Sequence, residues 1–135
     1  MSYKIDEIEG IGPTFREKLT AHGIETTDDL LKLCAAPKGR KELAAKSGLG
    51  EAKILDWTNM ADLMRVSGVG RQFAELLKAA GVDTIKEFRT RNPENLATKI
   101  KEVNEEKKLA KAVPTTDQIN QWIEQAKKTD PLITY

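Results

Sequence analysis

The chain is 135 residues long and poor in the residue types that usually carry chemistry: one cysteine, one histidine and 5% aromatics. A single cysteine, Cys34, excludes an internal disulfide and any cysteine-rich metal site. It lies among Leu30, Leu31 and Leu33, which predicts a small buried hydrophobe rather than a reactive thiol. The lone His22 sits beside Gly23, where a histidine meets a helix dipole. No second histidine, carboxylate cluster or serine elbow accompanies it, so the chain is expected to be non-enzymatic, with no cofactor, metal or small-molecule substrate. No apolar run approaches the roughly 20 residues of a membrane span. Lys4, Asp6, Glu7 and Glu9 interrupt the start, so no signal peptide is expected and the expected location is cytoplasmic. A charge excess is missing too: 22 basic residues face 21 acidic ones. Residues 1–67 carry 10 basic and 11 acidic groups, and residues 68–135 carry 12 and 10. That balance argues against a protein held on nucleic acid by bulk electrostatics, so local placement of cations must decide.

What is present is a repeat. Gly10-Ile11-Gly12 and Gly68-Val69-Gly70 are separated by 58 residues, and the register extends well beyond them. Phe15 falls on Phe73, Glu17 on Glu75, Leu19 on Leu77, Ala21 on Ala79, Gly23 on Gly81 and Thr26 on Thr84. The substitutions between copies are conservative, among them Ile5 for Leu63, Ile8 for Val66 and Asp29 for Glu87. Such self-similarity fixes architecture before any local reading does. Apolar residues recur at three and four throughout, and β-type alternation is scarce, so every segment reads as helix. Ile5 and Ile8 predict a short first helix ending at Gly10. Pro13 suits a first helical position, Gly23 a left-handed C-cap, and Thr26 with Asp29 a capping box repeated by Thr84 with Glu87.

A third glycine turn, Gly48-Leu49-Gly50, precedes a long helix carrying Ile54, Trp57, Met60 and Leu63. Ile119, Trp122 and Ala126 match Ile54, Trp57 and Ala61 at an offset of 65, so seven residues are inserted between Asn92 and Thr116. The third turn has no glycine counterpart at Val113-Pro114-Thr115, where a helix still starts but ligand access to the backbone is poorer. The expected fold is all-α, with about ten short helices forming two pseudo-repeats, residues 1–62 and 63–135, around one shared core. Trp57 and Trp122 are expected to be paired, buried anchors of that core.

A glycine turn that opens a helix presents backbone N–H groups and the positive dipole end to an anion, with no Cβ in the way. Helix, G-h-G turn, helix, with apolar Ile8, Phe15, Leu19 and again Val66, Phe73, Leu77, resembles the helix-hairpin-helix motif. The resemblance implies a SAM-domain-like tandem in which two motifs pair about a pseudo-twofold and contact DNA backbone without reading sequence. The continuation Gly23-Ile24-Glu25-Thr26 into Asp29-Leu30-Leu31 is similar to modules in the C-terminal domain of RNA polymerase α and in recombinase and ligase domains. Over its length, including Trp57–Leu63, the chain resembles the bacterial domain-of-unknown-function family 4332.

The flanks rank the turns. Asp6, Glu7 and Glu9 surround the first and oppose a phosphate, with Thr14 and Arg16 only partly offsetting them. The second has Arg65 and Ser67 before it and Arg71 after it. The third has Lys46, Ser47 and Lys53 against Glu51. The expected backbone contacts are therefore Arg65, Ser67, Gly68, Val69, Gly70 and Arg71 at the second turn. Lys46, Gly48, Gly50 and Lys53 add the third turn, and Lys38, Arg40 and Lys41 add the basic stretch Lys38-Gly39-Arg40-Lys41. Gly10, Gly12, Thr14 and Arg16 are weaker candidates. Gly70 is expected to adopt a conformation that a Cβ resists. Lys99, Lys101, Lys107, Lys108 and Lys111, interleaved with Glu102, Glu105 and Glu106, predict an exposed helix face laced by ion pairs. Two functions stay open: sequence-independent binding of DNA or structured nucleic acid, and a protein–protein adaptor that keeps the fold without the ligand. No membrane partner is expected.

Overall fold

The computed structural model describes residues 2–135. Its helices are α1 (Pro13–Thr20), α2 (Thr27–Cys34), α3 (Pro37–Ser47), α4 (Glu51–Leu63), α5 (Arg71–Ala79), α6 (Ile85–Phe88), α7 (Pro93–Lys107) and α8 (Thr116–Lys127). A 3-10 turn at Ile5–Glu7 precedes them, and the only extended pairing among the described residues is an isolated bridge between Lys4 and Thr26. Among the described residues the fold is all-α, with eight α-helices rather than the expected ten or so. The expected first helix is only this 3-10 turn, because Lys4 and Ile5 are drawn into extended pairing with Glu25 and Thr26. One continuous cluster of buried apolar residues joins both halves, and α4 crosses the 62/63 boundary between them.

The same backbone hydrogen bonds recur 58 residues apart. Ile11 N–H donates to Ile8 O at 3.1 Å and Val69 N–H to Val66 O at 3.0 Å. After α1, Ile24 N–H reaches back to Leu19 O and Gly23 N–H to Thr20 O; after α5, Val82 and Gly81 repeat the pattern on Leu77 and Lys78. That crossed pair of bonds closes a helix through a left-handed residue. Trp57 and Trp122 are each 4% exposed and lie 5.2 and 5.3 Å from Phe15 and Phe73.

The copies differ where the chain leading into them differs. In the first, Thr27 N–H at the start of α2 donates to Tyr3 O in the extended lead-in. The equivalent lead-in of the second copy is the end of α4, helical rather than extended. Asp62 supplies the acceptor instead: its Oδ2 takes Ile85 N–H at 2.8 Å, and its Oδ1 takes Arg65 Nη1 at 2.8 Å. Capping also diverges. Thr26 and Asp29 form the full reciprocal box, and the N–H groups of Glu25 and Thr26, led by Glu25, with the Thr26 hydroxyl hold the Asp29 carboxyl below its ordinary range. Thr84 accepts from Glu87 N–H at 3.4 Å, but Glu87 does not return the bond, so the second expected box is half formed. The inserted residues lengthen α7 to 15 residues against 11 in α3, and also extend its connection to α8. There Thr115 and Gln118 form a full box, covering the N–H groups that Gly50 leaves uncapped at α4. The charged face of α7 is exposed as expected, but no ion pair forms along it among the described residues.

The corner between α2 and α3 is the tightest in the molecule. A Cβ at Gly39 would lie 1.7 Å from Leu33 O. The following Arg40 donates through Nη1 to Cys34 O at 2.9 Å and Ala35 O at 3.0 Å, filling carbonyls that the end of α2 leaves open. Its charge also complements the negative end of that helix. Cys34 is fully buried at this corner, and burial pushes its thiol from 9.0 up to about 11, with the Arg40 charge opposing. Two outcomes are expected. The thiol should react with alkylating reagents only at the rate of unfolding. Because the folded pKa is raised, the stabilising preference for the neutral thiol is complete below pH 9.0 and lost as pH rises to about 11. Urea titrations of the wild type and Cys34→Ala across that range check the sign, since the variant should lack this component.

Candidate nucleic-acid interface

Each glycine turn is built from one strained and one ordinary glycine. Gly68 has φ +93°, and a Cβ there would stand 3.1 Å from Trp122 Nε1; Gly10 has φ +92° and faces Trp57 Nε1 in the same way at 3.7 Å. Gly70 does not behave as expected. It is extended, with φ −94° and ψ −163°, and no atom lies within 4 Å of where its Cβ would be. The strain belongs to the first glycine, which must turn left-handed over the indole, while the second merely precedes the helix. Gly12 and Gly70 are the N-caps of α1 and α5, neither with a side-chain cap, so first-turn N–H groups are open to an external acceptor. In α1 one of these donors is absent because Pro13 has no N–H.

The two turns lie against each other. Arg71 Nε meets Glu9 Oε2 at 2.6 Å, and Tyr3 Oη donates to Val69 O at 3.5 Å. The pair joins the cation of the second turn to the acid of the first. Glu9 holds the Arg71 guanidinium above its ordinary value, chiefly by that hydrogen bond, with further negative charge from Glu7 and Glu75. The Glu75 carboxyl is pushed up, first by burial and then by Glu9. Both partners of the Arg71–Glu9 pair are about half exposed, so the bond is weak, about 0–1 kcal/mol, and exchangeable.

The remaining predicted residues separate into surface and interior. Lys38, Lys41, Lys46, Thr14 and Arg16 are exposed, as are the turn positions Gly10, Gly12, Ser67, Gly68, Gly48 and Gly50. Lys53 Nζ sits 4.7 Å from the Phe15 ring centroid, which brings the third turn's cation to the helix that follows the first turn. Arg16 pairs with Asp6 at 3.5 Å. Val69 is buried and Ser67 N–H donates to Gln125 Oε1, so both offer little beyond their turn's shape. Arg65 is held by the buried Asp62 carboxylate and by Asp130 O at 3.0 Å. Arg40 is 6% exposed and donates to three carbonyls. The basic stretch therefore presents two lysines, not three charges, and its arginine serves the helix corner. The expectation of Arg40 and Arg65 as surface cations is corrected by partners far along the chain.

Sequence reasoning missed a cleft of about 590 Å³ beside the first turn. Trp57, Met60 and Leu109 line it, with Lys53, Lys78 and Lys107 opposed by Asp56 and Glu75. Its charges come from three helices far apart in the chain, so no single local motif announces it. No helix among the described residues is long and apolar enough to cross a membrane. No curated protein and no solved structure matches the chain. One family matches residues 9–129, nearly the whole of the helical core just described, and the chain belongs to it: the family described as Domain of unknown function (DUF4332).

Proposed function

We propose that the two glycine turns are paired helix-hairpin-helix motifs, and that the protein is a non-enzymatic module binding nucleic-acid backbone without reading sequence. One observation carries the reading: two turns with matching bonds sit side by side, and each opens an uncapped helix toward solvent. Phosphates placed there accept from N–H groups and the helix dipole, contacts that carry no base information. Glu9 competes for Arg71, so binding is weak, with Kd on the order of 10⁻⁴–10⁻⁶ M and a log–log salt slope of roughly −2 to −4.

Gel shifts with unrelated duplexes, single strands and RNA at two salt concentrations test this. Arg71→Glu should weaken duplex binding similarly for every sequence, and Arg16→Glu should matter less. Glu9→Gln should strengthen binding, since it frees Arg71 and removes a repelling charge. A second reading, a protein–protein adaptor, is favoured by the acidic groups around Arg71. It replaces the first if neither the wild type nor Glu9→Gln shifts any nucleic acid at low salt.

A further inference from the structure

Residues 130–135 cross from the second half of the chain onto the first and bind there as an extended peptide would. Thr134 N–H donates to Ala35 O at 2.8 Å, and Thr134 O accepts from Arg40 Nη2 at 2.7 Å. Ile133 is only 9% exposed, and the Tyr135 ring centroid lies 5.9 Å from the Arg40 guanidinium, its hydroxyl 3.4 Å from Asn59 Oδ1. Main-chain bonds with one deep apolar anchor are the mode by which grooves take extended segments. Arg40 is held at the seat by bonds other than those to the segment, from Nη1 to Cys34 O and Ala35 O. The segment lies outside the 9–129 match, and α8 ends at Lys127, so residues 128 and 129 join it to the helical core.

We infer that this seat on α2, α3 and α4 recognises an extended Ile-x-Tyr segment, and that its occupant in trans is the same segment of a second copy of this chain. Exchange preserves every contact, so the effective concentration of the chain's own segment, on the order of millimolar, sets the balance between monomer and exchanged pair.

Two full-chain variants, each defective on one side, test this. Ile133→Asp spoils the segment and keeps the seat; Arg40→Gln spoils the seat and keeps the segment. By sedimentation each alone should be monomeric, and an equimolar mixture near the millimolar range should form a heterodimer. A labelled peptide of residues 129–135 should bind the Ile133→Asp chain at least tenfold more tightly than the wild type, whose own segment competes. If Arg40→Gln does not fold, sedimentation of the wild type at about 1 mM replaces the mixture. No peptide binding to folded Ile133→Asp overturns the seat. Peptide binding without any dimer overturns the second copy as occupant and assigns the seat to a separate protein's segment.

Discussion

Gly39→Ala should lower stability by about 3–4 kcal/mol, more than most substitutions in a domain of this size. The added methyl would stand 1.7 Å from Leu33 O, a backbone atom that cannot swing aside. Either α3 moves away from the end of α2, or the carbonyl turns and loses its helical geometry. A shift of α3 also pulls Arg40 from Cys34 O and Ala35 O, costing a nearly buried guanidinium two of its acceptors and Cys34 O its donor. The melting temperature should fall by roughly 10 °C. Gly70→Ser is the matched control, because nothing lies within 4 Å of its Cβ position and serine caps helices well. Its stability should stay within about 0.5 kcal/mol of the wild type. Equal, small losses for both variants by urea denaturation would show that the α2–α3 corner is looser than described.

Asp62→Ala should remove about 3–4 kcal/mol, because one carboxylate serves two partners. Its side chain is 1% exposed and that of Arg65 is 18% exposed, so water replaces neither bond readily. Truncation leaves Ile85 N–H unpaired inside the protein and strands the Arg65 charge. Asp62→Asn should be milder, about 1–2 kcal/mol, since an amide oxygen still accepts from Ile85 N–H while the ion pair is lost. The double variant Asp62→Ala/Arg65→Ala should be less damaging than the two single losses added together. Additivity in that cycle, or an Asp62→Ala variant within 1 kcal/mol of the wild type, would refute this role.

Helix type, the left-handed closures after α1 and α5, the Thr26 cap and the burial of both tryptophans were legible because each depends on neighbours a few residues away. A glycine following an amphipathic stretch closes its helix in both copies, and a threonine three residues before an acid accepts that acid's N–H in both, though only Asp29 returns the bond. Repetition at 58 and 65 residues multiplied those local signals and placed Trp57 and Trp122 in equivalent surroundings. The strained glycine was assigned to the wrong end of its turn, since G-x-G alone does not say which residue faces the indole.

The charged side chains are a different matter. Arg71, Arg40 and Asp62 have local surroundings that suggest surface residues, yet their partners lie 62, 94 and 23 residues away. Sequence alone determined that the chain is helical, internally repeated and without charge excess, because composition and short-range periodicity carry those properties. Tertiary structure alone decided which charged groups remain on the surface. A guanidinium or carboxylate is satisfied by whatever carbonyl, amide or opposite charge the fold brings within about 3 Å, and no spacing in the chain encodes that distance.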